Sequence, residues 1–324
     1  MSSDAGARSL GRAADTLMRE GEVDRFGVTR ALLVVHRGRL VVERYRDGVG
    51  ADATQPSWSM AKSVLHAIVG LLGEDGLIEL DAAAPVPSWR GEGDPRRAIA
   101  LDHLLRMVDG LDFVEYDTAA GRADVIEMLR DSRHADTAAF AESRALAHAP
   151  GTVFNYSSGT SMIVSAIARR ALGGSRAAME TYMQERLLGP LGMTSAKARF
   201  DAAGTFLGSS YLFATPRDFA RFGLLYLRDG VWDGRRVLPS GWVDHARRAT
   251  GPSRGVYGAH WWLDVGAPGT FCAKGYQGQY TIVAPDRDLV VVRLGASTEP
   301  QREHVVAALG DILRSFPPSG AEAI

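Results

Sequence analysis

The chain places short apolar runs near its two ends and helical patterns in its middle. Residues 31–37 and 40–45 read ALLVVHR and LVVERY, and Gly38 between them favours a tight turn, so this segment predicts a β-hairpin. After residue 257, the runs HWWLDV, GTFCAK, QYTIVAP and LVVVRLG predict four more strands, the last two joined by a turn at residues 285–288. Apolar residues at helical spacing predict helices over residues 4–20, 59–72, 101–107, 122–131, 159–172, 175–188, 215–229 and 301–315.

Strands at both ends around a helical middle indicate an α+β fold. We expect an α/β/α sandwich with one antiparallel sheet built from both ends of the chain, and an inserted all-helical lobe. The predicted sandwich lobe comprises residues 1–57 and 205–324, and the helical lobe comprises residues 58–204. The active site is expected between the two lobes.

Composition excludes several classes of protein. The 324 residues are 46% hydrophobic and 23% charged, which is typical of a globular protein and not of a disordered or fibrous one. Thirty-seven basic residues balance thirty-eight acidic ones along the whole sequence, so neither nucleic acid nor a membrane is an expected partner. A homodimer is left open.

Cysteine content and the N-terminal sequence predict a cytoplasmic protein. Cys272 is the single cysteine, so an internal disulfide cannot form, and the first twenty residues contain no uninterrupted apolar segment. No apolar run approaches the roughly 18 residues of a membrane span. The histidines lack metal-ligand spacing, and Gly-x-Gly segments do not extend into a dinucleotide fingerprint, so neither a metal nor another cofactor is expected.

The tetrapeptide at residues 59–62, Ser-Met-Ala-Lys, carries the clearest chemical signal. Residues three apart share one face of a helix, so Ser59 and Lys62 can approach within hydrogen-bond distance. A lysine becomes a base for a serine hydroxyl when burial lowers its pKa. Such burial is favoured by the apolar neighbours Trp58, Met60, Ala61, Val64 and Leu65. The tetrapeptide is common, and the rest of the sequence must decide its meaning.

Several further segments follow Ser59 in a fixed order. They read LDHLLRM and DGL at 101–107 and 109–111, FNYSSG at 154–159, KGYQGQ at 274–279, and ATPRDFARFG, LPSGWV and YGAHWW at 214–223, 238–243 and 257–262. In order and spacing they resemble the serine β-lactamase-like hydrolases, over about residues 26–314. Within this class C β-lactamase and esterase superfamily, the branch that they most resemble is that of the 6-aminohexanoate-dimer (nylon oligomer) hydrolases.

The resemblance implies a role for each matching residue. Ser59 would attack the carbonyl carbon, Lys62 would take its proton, and Tyr156 would pass a proton to the leaving group. The ammonium of Lys62 is expected to favour the Tyr156 phenolate. The backbone N–H groups of Ser59 and Tyr276 would form the oxyanion hole.

The same resemblance points to residues that would contact substrate. The loop at 115–117 and the following Asp124 fall where the nylon-oligomer branch has polar contacts over the cleft. Of the adjacent Trp261 and Trp262, one is expected in the core and the other in the cleft. The predicted substrate-binding residues are Tyr116, Asp124, Ser158, Trp262, Gly275 and Gln279.

Departures from the family pattern bear on the substrate. Ala273 occupies the usual cationic position of the third motif, and Lys274 follows it, so its side chain should point to the opposite face of the strand. Ser158 replaces the asparagine of the second motif, and no Ser-Asp-Asn is present. These differences favour a small-molecule amide or ester over a β-lactam as substrate.

Two alternative functions stay open on sequence alone. A transacylase would use the same Ser59 acyl-enzyme but resolve it with an alcohol or amine instead of water. A non-catalytic relative would keep the fold as a binding module, although such a protein has no need of Ser59, Lys62 and Tyr156 together. An α/β-hydrolase is excluded because no Gly-x-Ser-x-Gly occurs.

Overall fold

The computed structural model describes residues 3–116, 121, 123–130 and 135–318. Its α-helices are α1 Ser3–Met18, α2 Val23–Phe26, α3 Ala61–Glu74, α4 Leu101–Leu105, α5 Asp124–Arg130, α6 Thr137–Glu142, α7 Ser158–Ala171, α8 Arg176–Met183, α9 Pro216–Leu227, α10 Trp242–Arg247 and α11 Glu299–Arg314. Its strands are β1 Val28–His36, β2 Arg39–Tyr45, β3 Gln55–Pro56, β4 Lys197–Ala198, β5 Leu212–Ala214, β6 Val231–Trp232, β7 Arg235–Arg236, β8 Trp262–Leu263, β9 Phe271–Gly275, β10 Gln279–Ala284 and β11 Leu289–Ala296.

One antiparallel sheet is built from both ends of the chain, in the order β2-β1-β11-β10-β9-β8. Both predicted hairpins are confirmed. Gly38 lies in the turn between β1 and β2 at φ 72°, and Asp288 lies in the turn between β10 and β11 at φ 48°. The first strand of the chain, β1, pairs with the last, β11, so segments distant in sequence lie side by side in the centre of the sheet.

Helices cover both faces of this sheet. Alternate residues of β11 point to opposite faces, and they divide the core into two clusters. Val291 packs in the cluster that contains α1 and α11, whereas Val290 and Val292 pack in the cluster that contains α3, α7 and α9. The α+β prediction and the layered arrangement are confirmed. The division into lobes at residues 58–204 stays a prediction.

Helix α3 is buried along most of its length, including the polar Lys62, Ser63 and His66. A helix that is buried on all sides belongs to the core, and its polar residues need partners there. Ser63 Oγ donates to the carbonyl of His260 at 2.8 Å, and His66 Nδ1 lies 2.9 Å from the hydroxyl of Tyr226. These contacts fix the position of the helix that carries Lys62.

Some predicted bounds were wrong in informative ways. Ser59 lies in a 3₁₀ turn, Trp58–Met60, and α3 begins only at Ala61. In HWWLDV only Trp262–Leu263 forms a strand, because His260 has φ 55° and breaks the extended backbone. Among the described residues, none of the helices has the length and apolar character needed to cross a membrane.

Candidate active site

The backbone around Ser59 is fixed by contacts with β5. The N–H of Ser57 donates to the carbonyl of Leu212 at 2.8 Å, and the N–H of Leu212 donates to Ser57 Oγ at 3.0 Å. Trp58 has φ 44°, a left-handed conformation that a tryptophan adopts only when its surroundings impose it. The strained residue therefore immediately precedes the candidate nucleophile.

Lys62 lies beside Ser59, as the three-residue spacing predicted. Its side chain is 1% exposed, and its Nζ is 3.2 Å from Ser59 Oγ. Nζ also donates to Ser158 Oγ at 3.1 Å and to the carbonyl of Ser209 at 2.8 Å. A neutral amine has two N–H bonds and one lone pair. The contacts to Ser158 and Ser209 use both N–H bonds, so the lone pair faces the Ser59 hydroxyl.

The electrostatic environment makes Lys62 suitable as a base. Burial lowers the pKa of Lys62 to about 8, and the negative charge of Glu115 partly opposes that effect. About a tenth of the amine is then unprotonated at pH 7, far more than for a lysine in water. The arrangement can therefore accept the Ser59 proton without a histidine.

Tyr156 completes the group, but its ionisation differs from the expectation. Its phenol lies next to the Ser59 hydroxyl, and Lys62 Nζ lies 4.9 Å from its ring centroid. Burial, together with the nearby Tyr257 and Glu115, raises the pKa of Tyr156 well above its usual value. Lys62 was expected to favour the phenolate, whereas burial and the nearby Tyr257 and Glu115 favour the neutral phenol. A neutral phenol can donate a proton to a leaving group.

Glu115 is the polar residue of this site to which the sequence assigned no role. Its carboxylate accepts from the backbone N–H of Ser158 at 2.6 Å and from Ser158 Oγ at 2.7 Å. Ser158 thus links Glu115 to Lys62 and has both hydrogen-bonding directions in use. Ser158, a predicted substrate contact, borders the cavity, but its hydroxyl accepts a hydrogen bond from Lys62. The resemblance had singled out this loop, while the contact with Ser158 spans 43 residues and leaves no spacing signal.

Replacing Glu115 with glutamine is expected to move the pH profile of the enzyme to lower pH. In the native protein, the unprotonated fraction of Lys62 rises as pH passes through about 8. Glu115 stabilises the ammonium, so loss of its charge lowers the pKa of Lys62 further, and the free amine appears at lower pH. The measurement is the acidic limb of kcat/KM for a p-nitrophenyl ester. Glu79→Gln, which removes an exposed carboxylate outside the cavity, is the control. An unchanged or higher inflection in Glu115→Gln contradicts the assignment.

The end of β9 lies against the turn that carries Ser59. A Cβ atom on Gly275 would come 2.3 Å from the carbonyl oxygen of Ser57 and 3.1 Å from Trp58 Cβ, so only glycine allows this approach. The Tyr276 ring packs edge-on against Trp58, with centroids 5.4 Å apart. The predicted pairing of Ser59 and Tyr276 backbone N–H groups is compatible with this proximity.

Two predicted substrate contacts are wrong. Gln279 is buried, and its amide donates to the carbonyls of Tyr276 and Gly295 and accepts from the N–H of Gly295, so it holds the loop. Asp124 is 1% exposed, accepts from the N–H of Val114 at 2.9 Å and lies 3.7 Å from Arg144. Both side chains stabilise the protein's own backbone and do not line the cavity.

The remaining predicted contacts line a single cavity of about 840 Å³ that includes Ser59 and Tyr156. Tyr116 is 62% exposed at this cavity, whereas Asp117 lies outside the described residues. Trp262 borders the cavity, with its ring centroid 5.2 Å from that of Tyr156, and Trp261 is buried in the core. One tryptophan of this pair was expected in each place. Trp58 also lines the cavity, and its buried Nε1 has no hydrogen-bond partner among the described residues.

Lys274 points away from Ala273, as strand alternation predicted. Ala273 packs in the cluster with α3, while Lys274 pairs with Tyr280 on the face that carries α11. The cavity nevertheless reaches this second face, because it extends past the edge of the sheet to α11. The cavity therefore includes a cation from this strand, at a position other than the one the third motif uses.

His260 contacts the two helices that carry Lys62 and Ser158. Its Nδ1 lies 3.0 Å from the carbonyl of Lys62, and its Nε2 lies 3.3 Å from Ser161 Oγ. Burial, the nearby Lys62 and, more weakly, His245 lower the pKa of His260 to about 3, so the ring is neutral. A neutral ring donates from Nδ1 to the carbonyl and accepts at Nε2. In the part of the chain that the structure describes, no three His, Cys, Asp or Glu side chains are placed to hold a metal ion.

Comparison with known proteins places this geometry in a family. Residues 15–313 match the Beta-lactamase family, and the chain belongs to it. It is a serine hydrolase.

A 6-aminohexanoate-dimer hydrolase from Paenarthrobacter ureafaciens is 28% identical over 305 residues, which cover 85% of this chain and 74% of the relative. A structure from Bacillus anthracis, assigned to the same hydrolases, has a TM-score of 0.75 at 26% identity and covers 91% of this chain and 80% of its own. A family VIII carboxylesterase shares the fold, with a TM-score of 0.71 at 15% identity over 96% of this chain and 98% of its own.

Proposed function

We propose that this enzyme hydrolyses an amide or ester of a small molecule through a Ser59 acyl-enzyme, in the manner of the 6-aminohexanoate-dimer hydrolases. The observation that carries the proposal is the 3.2 Å contact between Lys62 Nζ and Ser59 Oγ, with both amine N–H bonds used elsewhere. The lone pair of the amine is left for the serine proton, which is what nucleophilic activation requires.

Acylation follows from these groups. The Ser59 hydroxyl loses its proton to Lys62 as its oxygen forms a bond to the substrate carbonyl carbon. The carbonyl oxygen becomes an oxyanion, which the backbone N–H groups of Ser59 and Tyr276 stabilise. When the tetrahedral intermediate collapses, Tyr156 donates its proton to the departing nitrogen or oxygen, and the Lys62 ammonium restores the phenol. Water then attacks the ester, and the same groups act in reverse.

The cleft supports an amide or ester as substrate over a β-lactam. Ala273 occupies the third-motif position that carries a cation in β-lactamases, Lys274 projects from the opposite face of the strand, and the Ser158 hydroxyl contacts Lys62 and Glu115. An acylamide side chain would thus lack the amide partner that an asparagine supplies. The cavity of about 840 Å³ has room for a small molecule with a chain on each side of the scissile bond.

The test is covalent labelling. The purified protein is treated with a fluorophosphonate and separately with a short-chain p-nitrophenyl ester, and intact and peptide masses are measured. We expect one adduct per chain on Ser59, and none in Ser59→Ala. A matched Ser63→Ala variant, which removes a buried hydroxyl bonded to His260, should still be labelled. Labelling at another residue, or none in the native protein, would show that the fold is kept without this chemistry.

A further inference from the structure

We infer that Lys274 and Tyr280 form a subsite for a carboxylate group, so that the preferred substrate is an anionic amide or ester. This inference rests on the proposed function and names the chemical class of its substrate. The subsite lies in the part of the cavity that passes the sheet edge and reaches α11.

The register of the sheet brings the two side chains together. Lys274 on β9 is paired directly with Tyr280 on β10, so both side chains project from the same face. Both residues line the cavity. Directly paired residues have Cβ atoms about 5 Å apart, which allows the ammonium and the phenol to contact one small anion.

Within the described residues, neither group has a hydrogen bond or an ion pair from its side chain. The Tyr280 side chain is 0% exposed, and its hydroxyl has no hydrogen-bond partner in the described part of the protein. A buried hydroxyl without a partner is costly, and a ligand that displaces the side chains covering it would supply the missing acceptor from the cavity that Tyr280 lines. Lys274 Nζ rests 4.7 Å from the ring centroid of Trp262, a contact that orients the ammonium without neutralising it. Burial lowers the pKa of Lys274, an effect that a bound carboxylate would reverse.

Helix α11 also contributes charges near this end of the cavity. Glu299 lies 2.8 Å from Arg302, and its side chain is 86% exposed. Glu303 is also exposed at the cavity. Solvated carboxylates interact weakly with their surroundings, whereas the ammonium of Lys274 is mostly shielded from water. The buried groups therefore set the preference, and they favour an anion.

The position of the subsite sets the length of the substrate. The Ser59 hydroxyl lies next to the Tyr156 phenol, the Tyr156 and Trp262 ring centroids are 5.2 Å apart, and Lys274 Nζ lies 4.7 Å from the Trp262 ring centroid. This series of contacts places the ammonium at most about 16 Å from the Ser59 hydroxyl. A carboxylate on a flexible chain of intermediate length can reach it while the carbonyl carbon stays at Ser59.

The experiment compares esters that differ only in charge. Mono-p-nitrophenyl esters of linear dicarboxylic acids, from succinate to sebacate, are paired with the same esters capped as methyl esters. Acyloxybenzoates, paired with their methyl esters, place the carboxylate on the leaving group instead. We expect at least one length at which the native enzyme has kcat/KM about 10-fold or more higher for the anion, as expected for hydrogen bonds to a charged group. This ratio should fall at least several-fold in Lys274→Met and in Tyr280→Phe.

Lys197→Met, which alters an exposed lysine on β4, is the matched control and should keep the native ratio. Equal rates for anionic and capped esters at every length, or a native ratio retained in Lys274→Met, would overturn the subsite. Absence of any ester turnover would instead count against the proposed function. In that case, calorimetric titration of Ser59→Ala with monomethyl adipate and dimethyl adipate decides the subsite separately. The subsite is supported if the monoester binds to Ser59→Ala more tightly than the diester does, and binds more weakly when Lys274→Met is added. Equal binding of both compounds overturns it.

Discussion

The Lys62→Met variant should hydrolyse a p-nitrophenyl ester on the order of 10³-fold more slowly than the native enzyme, judged by kcat/KM. Methionine has a similar length and can occupy the same buried channel, but it cannot accept the Ser59 proton. Because the pKa of Lys62 is about 8, the native enzyme should show an inflection near that pH. In Lys62→Met this inflection should disappear, and the residual rate should rise steadily with hydroxide concentration.

Loss of the inflection separates a base from a structural residue. The substitution also leaves the buried carbonyl of Ser209 without its donor, so thermal unfolding should be measured in parallel. A variant that folds, and yet keeps its rate within 10-fold of native with an inflection near pH 8, would rule out Lys62 as the base. Lys197→Met should be indistinguishable from the native enzyme in both assays.

The Tyr156→Phe variant should lose far more activity on an alkyl amide than on an activated ester. An amine must be protonated to depart, whereas p-nitrophenolate leaves as an anion. Because the raised pKa of Tyr156 keeps its phenol protonated, we assign that proton to the leaving group. The expected loss of kcat/KM is on the order of 10² to 10³ for the linear dimer of 6-aminohexanoate, and about 10-fold or less for a p-nitrophenyl ester.

Tyr257→Phe is the matched control for this second variant. Its buried ring lies edge-on to that of Tyr156, with centroids 5.9 Å apart, so it removes a neighbouring phenol from the same apolar cluster. It should lower both rates to a similar extent. If Tyr156→Phe lowers kcat/KM equally for the amide and the ester, the phenol does not protonate the leaving group. It would then act in the deprotonation of Ser59 or in packing.

Local rules were enough to predict the centre of this site. Ser59 and Lys62 are three residues apart, and a helical turn of any kind brings them to one face. Strand alternation likewise predicted that Ala273 and Lys274 face opposite ways. Hydrophobic patterning predicted the sheet because β1 and β11 are apolar on both faces, as strands buried between two layers must be.

Properties that depend on distant segments could not be predicted in the same way. The extension of the cavity to Lys274 depends on where α11 packs, and strand alternation contains no such information. Asp124 was expected to contact substrate over the cleft, but its carboxylate is buried against the backbone of Val114 and the side chain of Arg144. The raised pKa of Tyr156 could not be predicted for a related reason, since desolvation depends on every residue packed around the phenol.

The candidate machinery draws on segments that lie far apart in the sequence. The hydroxyl and amine come from residues 59–62, their partners come from Glu115, Ser158 and Ser209, and Gly275 supplies the opposing backbone. No continuous fragment shorter than about two thirds of the chain contains them all. Ester turnover is therefore a sensitive reporter of complete folding: during refolding, it should return only when the last strands of the sheet have joined the first.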